Sequence, residues 1–216
     1  MSATKNTAQP RGTYRHGNLK QALLDAGLAL ASEHGPAGVV LREATRRAGV
    51  APNAAYRHYS GQRDLLDAVR AAALSQVART IEAELSALGP LDGSPAYARN
   101  SLRAVGQGYL RFAVTETGLF RTAFVLPFVL DSEPGYSPVG ESGLDPFQLL
   151  GLALDRMLAA NALTAEQRFQ AEFLAWSAVH GMAMLIIDGP LRHYPESELH
   201  ELSQRLFRMV ERGLGG

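Results

Sequence analysis

The chain has 216 residues, with 21 basic and 21 acidic side chains, no cysteine, 46% hydrophobic residues and 19% charged ones. That balance is globular rather than disordered. The lack of cysteine excludes disulfides and thiolate metal centres, and no uninterrupted apolar run reaches the roughly 18 residues that a membrane-spanning helix needs. Residues 1–17 are polar and basic with no apolar core, so no secretory signal is expected there, and a cytoplasmic protein is. The zero net charge conceals a division. Residues 1–63 hold nine Lys/Arg against three acids, a net +6, which leaves −6 in residues 64–216. A basic front on an acidic remainder suits a nucleic-acid-reading head on a body that DNA repels.

Strand signals are nearly absent, and helical periodicity punctuated by Gly and Pro dominates, so an all-α fold of about nine helices is expected. A first helix over 18–34 places Leu19, Ala22, Leu23, Ala26 and Leu30 on one face and ends at Gly35-Pro36. Two short helices follow, over 41–48 and 52–59. Gly49 supplies the backbone freedom of the corner between them, and Pro52 is pre-set for a first helical turn. The second of the pair is too short and too poor in large apolar residues to be a core helix. This is a helix-turn-helix, and it makes nucleic-acid binding the leading expectation.

A long fourth helix over 62–88 stops at Gly89-Pro90. Pro95 then opens a fifth, with Leu102, Val105, Tyr109, Phe112 and Ala113 at helical spacing, ending near Thr117-Gly118. The sixth, 119–130, is apolar on nearly every side and contains Pro127, which should kink or end it. Residues 131–143 are rich in Pro, Gly and Ser and read as the most mobile loop of the body, a gate if a pocket exists. Asp145-Pro146 starts a seventh helix reaching about 160, and Thr164-Ala165-Glu166-Gln167 is a capping box for an eighth that runs to 187. A ninth spans 196–212. The organisation expected is a flexible basic arm at 1–17, a DNA-binding domain at 18–61 and a helical body at 62–216.

The eighth helix carries two apolar stripes: Phe169, Phe173, Trp176, His180, Met184 and Ile187, and Leu174, Ala178, Met182 and Leu185. A helix apolar all round is buried on both sides, one side by its own subunit and the other by a partner. With Leu199, Leu202, Leu206, Met209 and Val210 on the ninth helix, it forms the expected four-helix interface of a homodimer. A two-fold operator requires such a second copy.

The segment Leu23-Leu24-Asp25-Ala26, Gly35, Gly38, Arg42-Glu43, Arg47-Ala48-Gly49-Val50, Tyr56-Arg57-His58-Tyr59 and Asp64-Leu65-Leu66 resembles the DNA-binding domain of the tetracycline-repressor (TetR) family of transcriptional regulators. It departs from that family's pattern at Val40, Ala51, Tyr59 and Gln62, where Ser or Thr, Ser, Phe and Lys are common. Trp176-Ser177-Ala178-Val179-His180-Gly181 is similar to a Trp-to-His-Gly signature in one class of that family's C-terminal domains. The resemblance implies an operator-binding head and a body that dimerises and binds an effector. Tyr56 is the matching DNA contact, and Tyr59 matches an aromatic that locks the third helix against the first.

From the residues themselves, Tyr56 reaches a phosphate or a thymine methyl, and Arg57 and His58 reach phosphates, with His58 alternatively a cap or packing residue. Asn53 pairs with adenine or merely caps its helix; Pro52 and Ala54 complete the face. Arg42, Arg46 and Arg63 neutralise phosphates or sit on a solvated helix face. In the body Tyr109, Phe112, Phe120, Phe124, Phe128, Phe147, Phe173 and Trp176 could line a cavity between helices, and these apart from Phe147, together with His180, are the ligand-binding candidates, the alternative for each being plain core. For His180 the first reading is a core histidine bonded to a backbone carbonyl, and direct ligand contact is the alternative. Arg103, Arg111 and Arg121 read as surface, so few charges reach those faces and a small, hydrophobic, uncharged effector is favoured. No enzyme constellation, cofactor or metal site is expected: His193 and His200 lie seven apart with no third ligand. Two functions stay open, a repressor released by a small molecule and a DNA-binding protein whose body serves only dimerisation or protein interaction.

Overall fold

The computed structural model describes residues 19–124 and 138–215. Among them are ten α-helices and no strand. The expected arm at 1–17, Pro127, Phe128 and the 131–137 part of the loop lie outside the described residues.

The head is built from α1 (Leu19–His34), α2 (Leu41–Arg47) and α3 (Pro52–Ala55). In α1, Leu23, Gly27, Leu30 and Ala31 recur at helical spacing and face inward. Gly35 adopts φ 67° to leave the helix, and Gly49 repeats that conformation (φ 67°) at the corner between α2 and α3. The helix opened by Pro52 is one turn long and gives way to turns at Tyr56–His58, shorter than the 52–59 expected. Tyr59 closes the head. Its side chain is fully buried and its hydroxyl donates to the Lys20 carbonyl of α1 at 3.2 Å. Burial, and after it the charges of Asp64 and Asp25, push that phenol up to about 12.

The 25-residue α4 (Gln62–Ser86) runs through both halves of the molecule. Its first turns pack on α1, where a Cβ at Gly27 would lie 2.6 Å from Val69 Cγ2. Its later turns lie against α5 (Pro95–Thr115). Gly108 permits that approach, since a Cβ there would sit 2.7 Å from Ile81 Cα. The short α6 (Thr117–Ala123) packs on α1 and α4. Then come α7 (Pro146–Ala159) and α9 (Ala171–Ile187), which cover α5, and α10 (Glu196–Gly215), which packs on α9 and α5. Phe207 of α10 fills the space that Gly106 leaves open, and buried Glu211 pairs with Arg103 of α5 through both carboxylate oxygens.

Both expected helix starts in the body are present as reciprocal capping boxes, Asp145 with Gln148 and Thr164 with Gln167. The expected single helix from 164 to 187 is two. A one-turn α8 (Ala165–Arg168) ends at Phe169, extended at ψ 120°, and Gln170, left-handed at φ 55°. Arg168 holds that turn on α7 and α9, bonding Asp155 (2.8 Å) and Glu172 (2.6 Å). Within a single copy α9 is buried along one side. Leu174 is 65% and Leu185 45% exposed, and with Ser177, Gly181 and Met184 they form one solvent-facing stripe.

Among the described residues, no helix is long and apolar enough to cross a membrane.

Candidate nucleic-acid interface and aromatic nest

Arg42, Arg46, Pro52, Asn53, Tyr56, Arg57 and Arg63 are all exposed, and Ala54 and His58 are partly so. They share the outer side of α2, the corner, α3 and the start of α4. Burial of Ala55 and Tyr59 turns the opposite side of that unit inward, and Tyr56, 61% exposed, is thereby directed out. The arginines differ in availability. Arg46 is held by Glu43 through two hydrogen bonds of 2.6 and 2.8 Å, and Arg63 lies 3.5 Å from Asp67. Hydrogen bonds from Arg46, outweighing desolvation, hold the Glu43 carboxyl down at about 2. Arg42 and Arg57 have no carboxylate partner among the described residues. Arg47 is a structural cation instead. It bonds both oxygens of Glu33 (2.7 and 2.8 Å) and also Glu43, tying α2 to the end of α1.

In the body, Tyr109 of α5, Phe120 of α6, Phe124 just after it, and Trp176 and His180 of α9 come together as a nest of rings. Tyr109 meets Phe120 edge-on at 5.3 Å between centroids, and Phe124 lies 4.9 Å from Phe120 and 5.3 Å from His180. Tyr109 and Phe120 form its buried floor, while Phe124, Trp176 and His180 are partly exposed. Trp176 Nε1–H donates to the Tyr109 hydroxyl at 3.1 Å, and that hydroxyl is 2.8 Å from His180 Nδ1. His180 therefore bonds a phenol, not the backbone carbonyl expected. Burial lowers the His180 pKa, so the ring is neutral at pH 7, and burial raises that of Tyr109.

Two candidates fall elsewhere. Phe112 is buried three residues beyond Tyr109, but on the α4 side, where with Gln76, Thr80, Arg111 and Glu116 it borders an open cleft of about 420 Å³. Phe173 is 46% exposed and packs on Phe147 at 5.4 Å, at the edge of the nest. Phe147, in the first turn of α7, also meets Trp176 at 5.8 Å. Phe169 is 74% exposed and stands apart from the stripe assigned to it. The arginines expected at the surface are each engaged: Arg103 with Glu211, Arg111 with Glu84 at 2.5 Å, and Arg121 with Asp188.

Comparison with known proteins finds family matches along both halves of the chain. Residues 23–69 match the family described as bacterial regulatory proteins, tetR family, and residues 102–210, half of the chain, match the tetracyclin repressor-like C-terminal domain. A Rhodococcus sp. RHA1 protein of unknown function has a similar structure, with TM-score 0.74 and 22% identity over 95% of this chain and 100% of the other. A candidate tetR-family transcription regulator from Shewanella sp. PV-4 gives TM-score 0.61 and 17% identity, covering 87% and 95%. A TetR-family transcription regulator from Marinobacter aquaeolei VT8 gives 0.53 and 16%, covering 92% and 96%. At these identities the structures share the fold. No curated protein matches the chain. With both halves matched in order, one on the helix-turn-helix and one on the helical body, the chain belongs to the TetR family of DNA-binding transcriptional regulators, which are not enzymes.

Proposed function

We propose that this regulator is a homodimeric repressor, working in the cytoplasm where its operator lies, and that a small, uncharged, hydrophobic effector bound in the aromatic nest releases it from DNA. The observation that carries the reading is the nest itself: four aromatic rings from α5, the α6 region and α9 around a neutral histidine, with the nearby arginines engaged elsewhere. The operator contacts assigned to the head are Tyr56, Arg57, His58 and Asn53 with Arg42, and Arg46 and Arg63 once freed from Glu43 and Asp67.

The dimer is assigned to α9 and α10. Leu174, Ser177, Gly181, Met184 and Leu185 recur three and four apart and are exposed, and Leu202, Leu206, Met209 and Val210 extend the surface on α10. An unpaired apolar stripe of this length fits a four-helix contact between two copies. The route to DNA is α6. It carries Phe120 into the nest, lies against α1 through Gly118 and pairs with the end of α9 through Arg121 and Asp188. An effector acts only if it binds the DNA-free arrangement more tightly than the DNA-bound one. The mutual contact of the floor rings supports the alternative, a body that serves dimerisation alone.

Two measurements decide. Sedimentation of the wild type is expected to give a dimer at micromolar concentration and Leu185→Asp a folded monomer; a monomeric wild type removes the interface. Duplexes selected from a random library are expected to be two-fold symmetric and to be released by apolar extracts of the source cell. Selected duplexes that no apolar compound releases favour the alternative.

A further inference from the structure

We infer that His180 is the polar anchor of the nest: its Nε2–H receives a hydrogen-bond acceptor on a flat, uncharged effector, and Tyr109 and Trp176 are positioning residues that hold it in that tautomer. This rests on the nest being the effector site. The proton arrangement follows from donor and acceptor capacity. An indole N–H only donates, so Trp176 Nε1 donates to Tyr109 Oη across 3.1 Å. The Tyr109 side chain is 4% exposed, and its own hydroxyl proton needs an acceptor; His180 Nδ1 at 2.8 Å supplies it. Nδ1 is then the lone-pair nitrogen, and the neutral ring carries its proton on Nε2, on the side away from Tyr109.

Nε2 has no partner among the described residues, and among them no buried side-chain nitrogen or oxygen lacks one, so the N–H borders accessible space rather than sealed core. Three aromatic surfaces surround it. Phe120 stacks on the imidazole at 5.9 Å and 28°, and Phe124 and Trp176 approach edge-on at 5.3 and 6.0 Å. Such walls select a planar π-system. Of the charged groups on the same elements, Arg121 is paired with Asp188, Arg103 with Glu211, Arg111 with Glu84 and Glu172 with Arg168, while Arg99 is exposed ten residues before Tyr109, so an ionised ligand in the nest would be desolvated without a counter-ion beside it. One donor amid rings reads a carbonyl, ether or ring nitrogen.

The test uses the full chain and three naphthalenes of one shape: 2-acetylnaphthalene, neutral with an acceptor; 2-ethylnaphthalene, neutral without one; and 2-naphthoate, an anion. Each displaces the dye 1-aminoanthracene, whose arrival is read by the emission of Trp176, the chain's one tryptophan. The ketone is expected to bind about ten-fold more tightly than the hydrocarbon, as one added hydrogen bond allows, and the anion least. His180→Phe should level ketone and hydrocarbon while the hydrocarbon still binds. Tyr109→Phe should reduce the ketone preference and convert the imidazole 15N spectrum from a single Nε2–H form to a tautomer mixture. Equal affinity of ketone and hydrocarbon for the wild type, or a wild-type spectrum showing Nδ1–H, overturns the anchor and leaves the nest standing. A dye that never changes Trp176 emission overturns the nest as effector site, and the anchor with it.

Discussion

Gly118 lies directly on the Ser32 carbonyl. The first turn of α6 rests there on the last turn of α1, and a Cβ at position 118 would overlap the carbonyl oxygens of both Ala31 and Ser32. Glycine is required by this closeness rather than by its backbone angles. The contact joins the DNA-binding head to a seven-residue helix whose other side chains reach the nest through Phe120 and α9 through Arg121. Gly118→Ala is expected to push α6 off α1. The overlap involves backbone on both sides and should cost roughly 1–3 kcal/mol. Denaturant midpoints and operator titrations check it, with both expected to fall; an unchanged operator affinity would separate this junction from the switch.

Arg57 and Tyr56 point into solvent, so their removal should leave the fold intact. Arg57→Ala is expected to weaken operator binding and reduce the slope of log K against log salt by about 1. Tyr56→Phe should weaken binding with little change of that slope. Melting temperatures should stay within a degree or so of wild type for both, which melting curves and titrations at two salt concentrations would establish.

Tyr59 is the counterpart that faces inward. Tyr59→Ala leaves a ring-sized void between α3 and α1 and should cost roughly 3–5 kcal/mol. Tyr59→Phe removes only the hydroxyl bond to Lys20 and should cost about 1 kcal/mol. Urea unfolding of the two variants gives the comparison, and equal losses would show that the hydroxyl rather than the ring holds the head together.

Glu82 of α4 receives the segment before α7. Its carboxylate accepts from the Glu141 and Ser142 backbone N–H groups, both at 2.9 Å, and from the Ser142 hydroxyl at 2.5 Å. Burial by itself would raise this carboxyl. The bonds from Ser142 and Glu141, with the charge of Arg79, outweigh it and lower the pKa below its usual 4.5. A depressed carboxyl gives stability that is complete above the unfolded value and lost as pH falls through the folded one. Wild type should therefore exceed Glu82→Gln in stability at pH 7, by about 1–2 kcal/mol, and the gap should begin to close once pH falls below 4.5 and vanish below the lowered folded value. A gap that does not narrow as pH falls below 4.5 would assign the effect to side-chain shape instead of charge.

The sequence by itself determined what depends on neighbours a few residues away. Gly49 and Pro52 mark the corner because one tolerates positive φ and the other fixes a first helical turn. Asp145 with Gln148 and Thr164 with Gln167 mark helix starts because their bonds close within four residues. Helical periodicity likewise identified Leu23 and Leu30 as core, and it placed Tyr109, Phe120, Phe124, Trp176 and His180 among the candidate rings together with Phe112 and Phe173, without saying which of them meet. The tertiary structure alone decided what depends on which element lies opposite. Tyr109 and Phe112 occupy one apolar face of α5, yet one meets α9 and the other α4, because a helical stripe is broad enough to touch two neighbours and periodicity does not say which edge faces which. Arg103 finds Glu211 across 108 positions, and Glu82 finds Ser142 across 60, so neither partner leaves a local trace. The break at Phe169–Gln170 belongs with these: a sequence that permits continuous helix is interrupted where Arg168 is held by α7. The chain from Trp176 through Tyr109 to His180 is the last such feature, formed only once packing has brought α5 and α9 together.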